Sequence, residues 1–180
     1  MVLHWSKADL AFRSHRCLGH TKDGSRCKLK TRADDLCWMH QEKIKGLRVK
    51  NSPIAGLGLF AVKEFKKGEQ VTEYKGEILN RDELDRRYPG DRDASYVYQM
   101  NRDKFIDARK PTSCLGRFIN APTRGRGNVE TPYAHKKEQR ELKIRAIKNI
   151  QPGEELLLKY GNGPGLGYEG KPKPNKKKSK

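Results

Sequence analysis

The chain has 180 residues, enough for one modest domain with appendages. Forty lysines and arginines against twenty-two acidic residues give a formal charge of +18, and the hydrophobic fraction is 34%. A positive field of that size favours nucleic acid or an anionic membrane surface as partner, whereas no apolar run is long enough for a membrane-spanning helix.

The start, Met1-Val2-Leu3-His4-Trp5-Ser6-Lys7, lacks the apolar run of a signal peptide, so a reducing compartment is expected. There the four cysteines read as thiols or metal ligands and not as disulfides. Residues 1–45 are basic and hold three of them. Cys17, Cys27, Cys37 and His40 form a C-x9-C-x9-C-x2-H array, a ligand set that suits a closed tetrahedral zinc site. Gly24 within the polar run Thr21–Arg26 predicts a knuckle before Cys27. His15 and His20 are rival ligands, and three scattered free thiols remain the alternative. Cys114 lies far along the chain and reads as a buried thiol.

Residues 46–163 carry the strand periodicity. Leu47-Arg48-Val49 and Leu59-Phe60-Ala61-Val62 flank a glycine turn, and Lys66-Lys67-Gly68-Glu69 turns into a strand over Gln70–Tyr74. A helix is predicted at 81–88, capped by Asn80 with Glu83 as reciprocal partner and ended by Pro89-Gly90. Tyr96–Met100 and Lys104–Ile106 predict a hairpin around Asn101-Arg102-Asp103. Leu142, Ile144 and Ala146 alternate with Lys143 and Arg145, the pattern of a half-buried strand. Gln151-Pro152-Gly153 turns into a last predicted strand, Glu155–Tyr160. Many short strands with one helix predict a mostly β, α+β domain. Residues 164–180 run from glycine-rich into lysine-rich sequence and are expected to be disordered, since they cannot bury enough apolar surface to offset their ordering entropy.

Four blocks carry the chemistry: Ile54-Ala55-Gly56-Leu57-Gly58-Leu59-Phe60, Glu73-Tyr74-Lys75-Gly76-Glu77, Gly116-Arg117-Phe118-Ile119-Asn120 and Gly153-Glu154-Glu155-Leu156-Leu157-Leu158-Lys159-Tyr160. A glycine pair such as Gly56-x-Gly58 is by itself an ordinary turn. In this order and at these separations the four resemble the SET-domain protein lysine methyltransferases over roughly residues 46–163. The resemblance implies the SET fold, in which small curved sheets surround a knot-like core where the Asn120 and Tyr160 segments pass close together. It also implies S-adenosylmethionine as methyl donor, bound by Gly56, Leu57, Gly58, Tyr96, Arg117 and Asn120. Tyr160 matches the family's catalytic tyrosine and Tyr74 its channel-wall tyrosine, with Leu158 and Tyr98 lining the substrate channel.

The chain departs from the family pattern in several places. Ala121 stands where histidine usually follows the asparagine, and Lys159 where aspartate usually precedes the tyrosine. The family's Pro-Asn pair is stretched to Pro122 and Asn128. Position 158 is commonly Phe or Tyr, and a tyrosine there restricts the product to monomethyl-lysine; Leu158 has no hydroxyl and less bulk. A cysteine-rich segment that closes the site in many relatives has no counterpart after Cys114, so Pro164–Tyr168 is the expected substitute.

Residues 64–93 hold nine acidic and seven basic side chains, while the last ten residues alone hold six lysines. An acidic middle suits a basic substrate tail, and basic ends suit phosphate. The expected substrate is a histone, with nucleosomal DNA held by the basic ends and no membrane partner. The lysine tail also resembles a nuclear import signal, which places the chain in a nucleus, that of a host cell if the source is a virus or intracellular pathogen. A basic non-histone substrate, or a SET protein that binds nucleic acid without catalysis, are the alternatives.

Overall fold

The computed structural model describes residues 3, 10–89, 94–132 and 140–159. The predicted catalytic Tyr160, the predicted closing segment 164–168 and the lysine tail lie outside these residues.

The described chain is mostly β. Near the N-terminus β1 (His15–Arg16) pairs antiparallel with β2 (Lys30–Thr31). A single turn of α-helix, α1 (Trp38–His40), continues into a turn of π-helix, Gln41–Lys45. The hairpin β3 (Leu47–Asn51) and β4 (Leu57–Ala61) follows. Two three-stranded antiparallel sheets complete the body. One has the order β5 (Gln70–Lys75), β10 (Glu141–Ala146), β9 (Val129–Glu130). The other has the order β6 (Glu77–Leu79), β8 (Lys104–Asp107), β7 (Val97–Asn101).

The local signals explain these elements. In β10 exposure alternates residue by residue, with Leu142, Ile144 and Ala146 facing the core. Helix α2 (Arg81–Arg87) starts with a complete capping box: the Asn80 side chain accepts from the Glu83 N–H at 2.9 Å, and the Asn80 N–H donates to Glu83 at 2.8 Å. Such a cap contributes about 1 kcal/mol. The helix is pinned to its sheet by buried Asp107, which accepts from Arg87 at 2.8 Å and from the Tyr88 hydroxyl at 2.8 Å. β7 and β8 form the predicted hairpin, with Asn101 opposite Lys104.

The last segment differs from the strand predicted over 155–160. Its described part makes isolated bridges, Glu155 to Phe60, Leu157 to Asn120 and Leu158 to Val129. It threads between three neighbours and exchanges partners at almost each step. The Leu156 N–H donates to Leu59 O at 2.7 Å, and the Leu158 N–H to Asn120 O at 3.0 Å. Asn128 staples it from the side: its amide donates to Glu155 O at 2.8 Å and its carbonyl accepts the Leu157 N–H at 2.7 Å. No single ladder can extend under such a pattern. The crossing is so close that a Cβ on Gly127 would lie 1.9 Å from the Leu157 carbonyl oxygen, which explains glycine there.

One large cluster forms the main core, from Leu47 and Leu59 through Phe65, Tyr74 and Ile144 to Leu156 and Leu158. A smaller one, with Leu79, Leu84, Tyr88 and Phe105 among its members, lies under α2. The N-terminal region is joined to the body: Ala33 belongs to the main core, the Asp34 N–H donates to Pro111 O at 3.3 Å, and Asp34 pairs with Lys45 at 2.6 Å.

Candidate active site and metal centre

The glycine turn between β3 and β4 is held from one side by Asn120. Its side-chain amide donates to Ala55 O at 3.1 Å, to Leu57 O at 3.2 Å and to the Glu155 carboxylate at 2.9 Å. Glu155 also accepts from the Ser52 hydroxyl at 3.0 Å. Gly58 is closely faced: a Cβ there would meet Glu155 Oε1 at 2.3 Å. Gly56 has φ +48 and open space beside it. The turn therefore gathers carbonyl and carboxylate oxygens around one amide, an acceptor-rich corner suited to a ligand carrying positive charge.

A group of tyrosines lines the adjoining core. Tyr74 and Tyr98 sit with ring centroids 5.5 Å apart, and the Tyr74 hydroxyl donates to the Tyr96 carbonyl at 2.7 Å. The Tyr98 hydroxyl lies 2.7 Å from Thr131 Oγ1, and burial pushes its pKa up, partly offset by that contact. Leu158 belongs to the same buried cluster as Tyr74 and Tyr98. Arg117 is buried: it donates to Ala108 O at 2.8 Å and its guanidinium lies 3.7 Å from the Tyr96 ring centroid. It braces Tyr96 and the 108–109 backbone.

Glu155 and Ser52 are not legible as site residues in the sequence. Glu155 sits inside the terminal motif, but nothing in the spacing shows that the chain crossing turns its carboxylate toward Asn120, 35 residues earlier. Asn128, expected only as a displaced family asparagine, is the staple of that crossing.

Near the N-terminus the polar knuckle forms as predicted, with the Thr21 N–H donating to Ser25 O at 2.8 Å and a bridge between His20 and Arg26. Cys17 and Cys27 flank this knuckle, Cys37 precedes α1 and His40 ends it, and all four ligand atoms lie within 4.8 Å of one another with all four residues buried. Cys27 and Cys37 sulfurs are 3.9 Å apart, and His40 Nδ1 is 3.5 Å from Cys17 and 3.3 Å from Cys37. A tetrahedral zinc with bonds of about 2.3 Å to sulfur and 2.0 Å to nitrogen sets its ligands roughly 3.5–3.8 Å apart, so the group could hold one ion. His40 Nε2 lies 2.9 Å from the His20 carbonyl, which can only accept; that contact puts a proton on Nε2 and leaves Nδ1, which faces the thiols, as the nitrogen available to a metal. Burial raises the Cys17 thiol, but the backbone N–H groups of Cys37 and Gly19, together with the Cys37 and His40 side chains, lower its pKa overall, favouring thiolate. The rivals are elsewhere: His15 Nε2 faces Asp35 at 3.6 Å, and His20 contributes its carbonyl. Cys114 is a buried core thiol, raised by that burial.

This fold and corner define a class. The SET domain family model matches residues 56–161, and the chain belongs to the SET-domain family. Histone-lysine N-methyltransferase Set8 of Drosophila pseudoobscura pseudoobscura is 36% identical over 129 residues, which cover 68% of this chain and 18% of that protein. N-lysine methyltransferase KMT5A of Xenopus tropicalis is 31% identical over 140 residues, covering 74% of this chain and 40% of that one. The chain thus spans less than half the length of either relative. Among solved structures, ctPRC2 in an autoinhibited conformation bound to S-adenosylmethionine aligns with TM-score 0.57 at 34% identity, over 65% of this chain and 15% of that one.

Proposed function

We propose that this chain is a protein-lysine N-methyltransferase that uses S-adenosylmethionine and acts on a histone in the nucleus. The observation that carries the reading is the corner where Asn120 bridges the carbonyls of the glycine turn and the Glu155 carboxylate, beside a buried tyrosine cluster in a SET-family chain. Relatives named as histone-lysine methyltransferases, and a structural neighbour bound to S-adenosylmethionine, support the substrate and the donor.

When bound, the donor supplies an electrophilic methyl group on a positively charged sulfonium. Gly56, Leu57, Gly58 and Asn120 would hold its amino-acid part, with Tyr96 steadied by Arg117 alongside. The corner's oxygens complement a cation, so the fit is chemical as well as steric. The substrate amine must be neutral to attack, and a free lysine has a pKa of about 10.4. A channel walled by Tyr74, Tyr98 and Leu158 disfavours the charged ammonium by desolvation. The Tyr74 hydroxyl donates to the Tyr96 carbonyl, which fixes the ring as a wall of that channel. Tyr160, by its place in the motif, orients that amine toward the methyl group, a positioning role more than acid–base chemistry. The basic N- and C-terminal segments would hold nucleosomal DNA while the acidic stretch 64–93 receives the basic substrate tail.

Incubation with tritiated S-adenosylmethionine and nucleosomes, free histones or cell extract tests this. Label in a histone lysine is expected. Label confined to non-histone proteins would move the substrate, and absence of both transfer and calorimetric cofactor binding would overturn the activity.

A further inference from the structure

We infer that the metal-binding module carries its own face for duplex DNA, formed by Arg16, Arg26, Lys28 and Lys30. The inference rests on the chromatin reading above and assigns part of the grip to one folded surface instead of to basic ends in general.

Between Arg13 and Arg32 the chain has seven cationic side chains and one acidic one, Asp23. β1 and β2 set Arg16 directly opposite Lys30. Like charges opposed across an antiparallel pair are destabilising. Arg16 and Arg26 add to this by reaching across the same hairpin toward each other's backbone. Arg16 donates to Arg26 O at 2.8 Å and Cys27 O at 2.9 Å; Arg26 donates to Cys17 O at 3.1 Å and Arg16 O at 3.2 Å. Those carbonyls fix the guanidinium planes but neutralise no charge. All four side chains are exposed.

None of the nearby carboxylates turns to these cations. Asp23 accepts from Thr21 and Ser25 within the knuckle and Asp34 pairs with Lys45, while exposed Asp35 lies 3.6 Å from His15 Nε2, beyond hydrogen-bond distance. Among the described residues no acidic side chain pairs with any of the four cations. A zinc ion held by three thiolates and an imidazole would carry a single net negative charge, too little to balance the group. A rigid, uncompensated cluster of this kind costs self-repulsion that an external polyanion relieves. No aromatic ring stacks on these four groups among the described residues, so what they present is phosphate contact; duplex DNA, with one negative charge per about 1.7 Å of axis, matches a fixed cluster of cations better than a single strand.

The test measures binding of the zinc-loaded full chain to a short fluorescent duplex of random sequence over a range of salt, with no methyl donor present. Lys28→Glu with Lys30→Glu is the main variant, because neither side chain holds the backbone. Zinc stoichiometry and melting temperature check its fold, and Lys28→Gln with Lys30→Gln replaces it if zinc is lost. The expected result is about a tenfold or larger loss of affinity and a log–log salt slope shallower by about 2. Unchanged affinity in this variant, with loss only on deleting residues 171–180, would overturn the inference while leaving the basic-end reading intact. No duplex binding by the unmodified chain would overturn both, and stronger binding of single-stranded than of duplex DNA would overturn the assignment to duplex.

Discussion

The side-chain amide of Asn120 donates to the Glu155 carboxylate at 2.9 Å, joining the two segments that cross in the core. The same amide reaches Ala55 O and Leu57 O, so one side chain ties the crossing to the glycine turn. Asn120→Ala should remove this tie without opening the main core, because the residue is only half-buried. Loss of charge-assisted bonding is worth about 1.5–3 kcal/mol, or roughly ten- to a hundredfold in cofactor affinity. Calorimetric titration with S-adenosylmethionine measures it; an unchanged Kd would remove Asn120 from the cofactor site.

The two glycines of the turn should respond differently to alanine. At Gly56 there is space for a Cβ, but φ is +48, so the cost is strain of about 1 kcal/mol in stability. At Gly58 the new Cβ would lie 2.3 Å from Glu155 Oε1 and must push that carboxylate aside. Gly58→Ala should therefore weaken cofactor binding more than Gly56→Ala. Melting curves and calorimetry on the pair check the ordering, and equal affinities would contradict it.

Metal content should be one zinc per chain, and Cys37→Ser should abolish it. The buried cluster around the ligands consists of the cysteines themselves with Leu36 packed against them, so metal ligation supplies stability that apolar burial does not. Because the ligand thiols must be deprotonated, zinc should be released as pH falls, and its loss should lower the melting temperature of the whole chain through the Asp34–Lys45 and Ala33 contacts. Elemental analysis across a pH series, with melting recorded in parallel, tests both statements. Zinc-free protein of unchanged stability would refute them.

If Tyr160 has the proposed orienting role, Tyr160→Phe should remove most methyl transfer, with cofactor affinity and melting temperature nearly unchanged, because only one hydroxyl is lost. Turnover equal to that of the parent would make the assignment wrong.

Product multiplicity should follow position 158. Leu158 is buried with Tyr74 and Tyr98 and carries no hydroxyl to hold a water or block a second methyl. Di- or trimethyl-lysine is expected at long reaction times, shifting toward monomethyl in Leu158→Tyr. Mass spectrometry of the reacted peptide decides; monomethyl product alone from the parent enzyme would count against the channel assignment.

Local chemistry made much of this chain legible in its sequence. Asn80 and Glu83 announce a capped helix because capping needs only neighbours three residues apart. Leu142, Ile144 and Ala146 announce a half-buried strand because the side-chain period of a strand is two. The Cys17, Cys27, Cys37, His40 spacing announced a metal group through ligand chemistry, although only folding showed that His20 supplies a carbonyl and not its ring. Tertiary structure decided what depends on distant segments meeting. The predicted strand from Glu155 became a thread of single bridges because Leu59, Asn120 and Asn128 compete for successive peptide groups. Arg117 became a buried brace, and the Glu155 carboxylate became part of the Asn120 corner, for the same reason. Periodicity records which face of an element is buried; it carries no information on which remote backbone lies against it, and that is set by how the sheets close around the crossing.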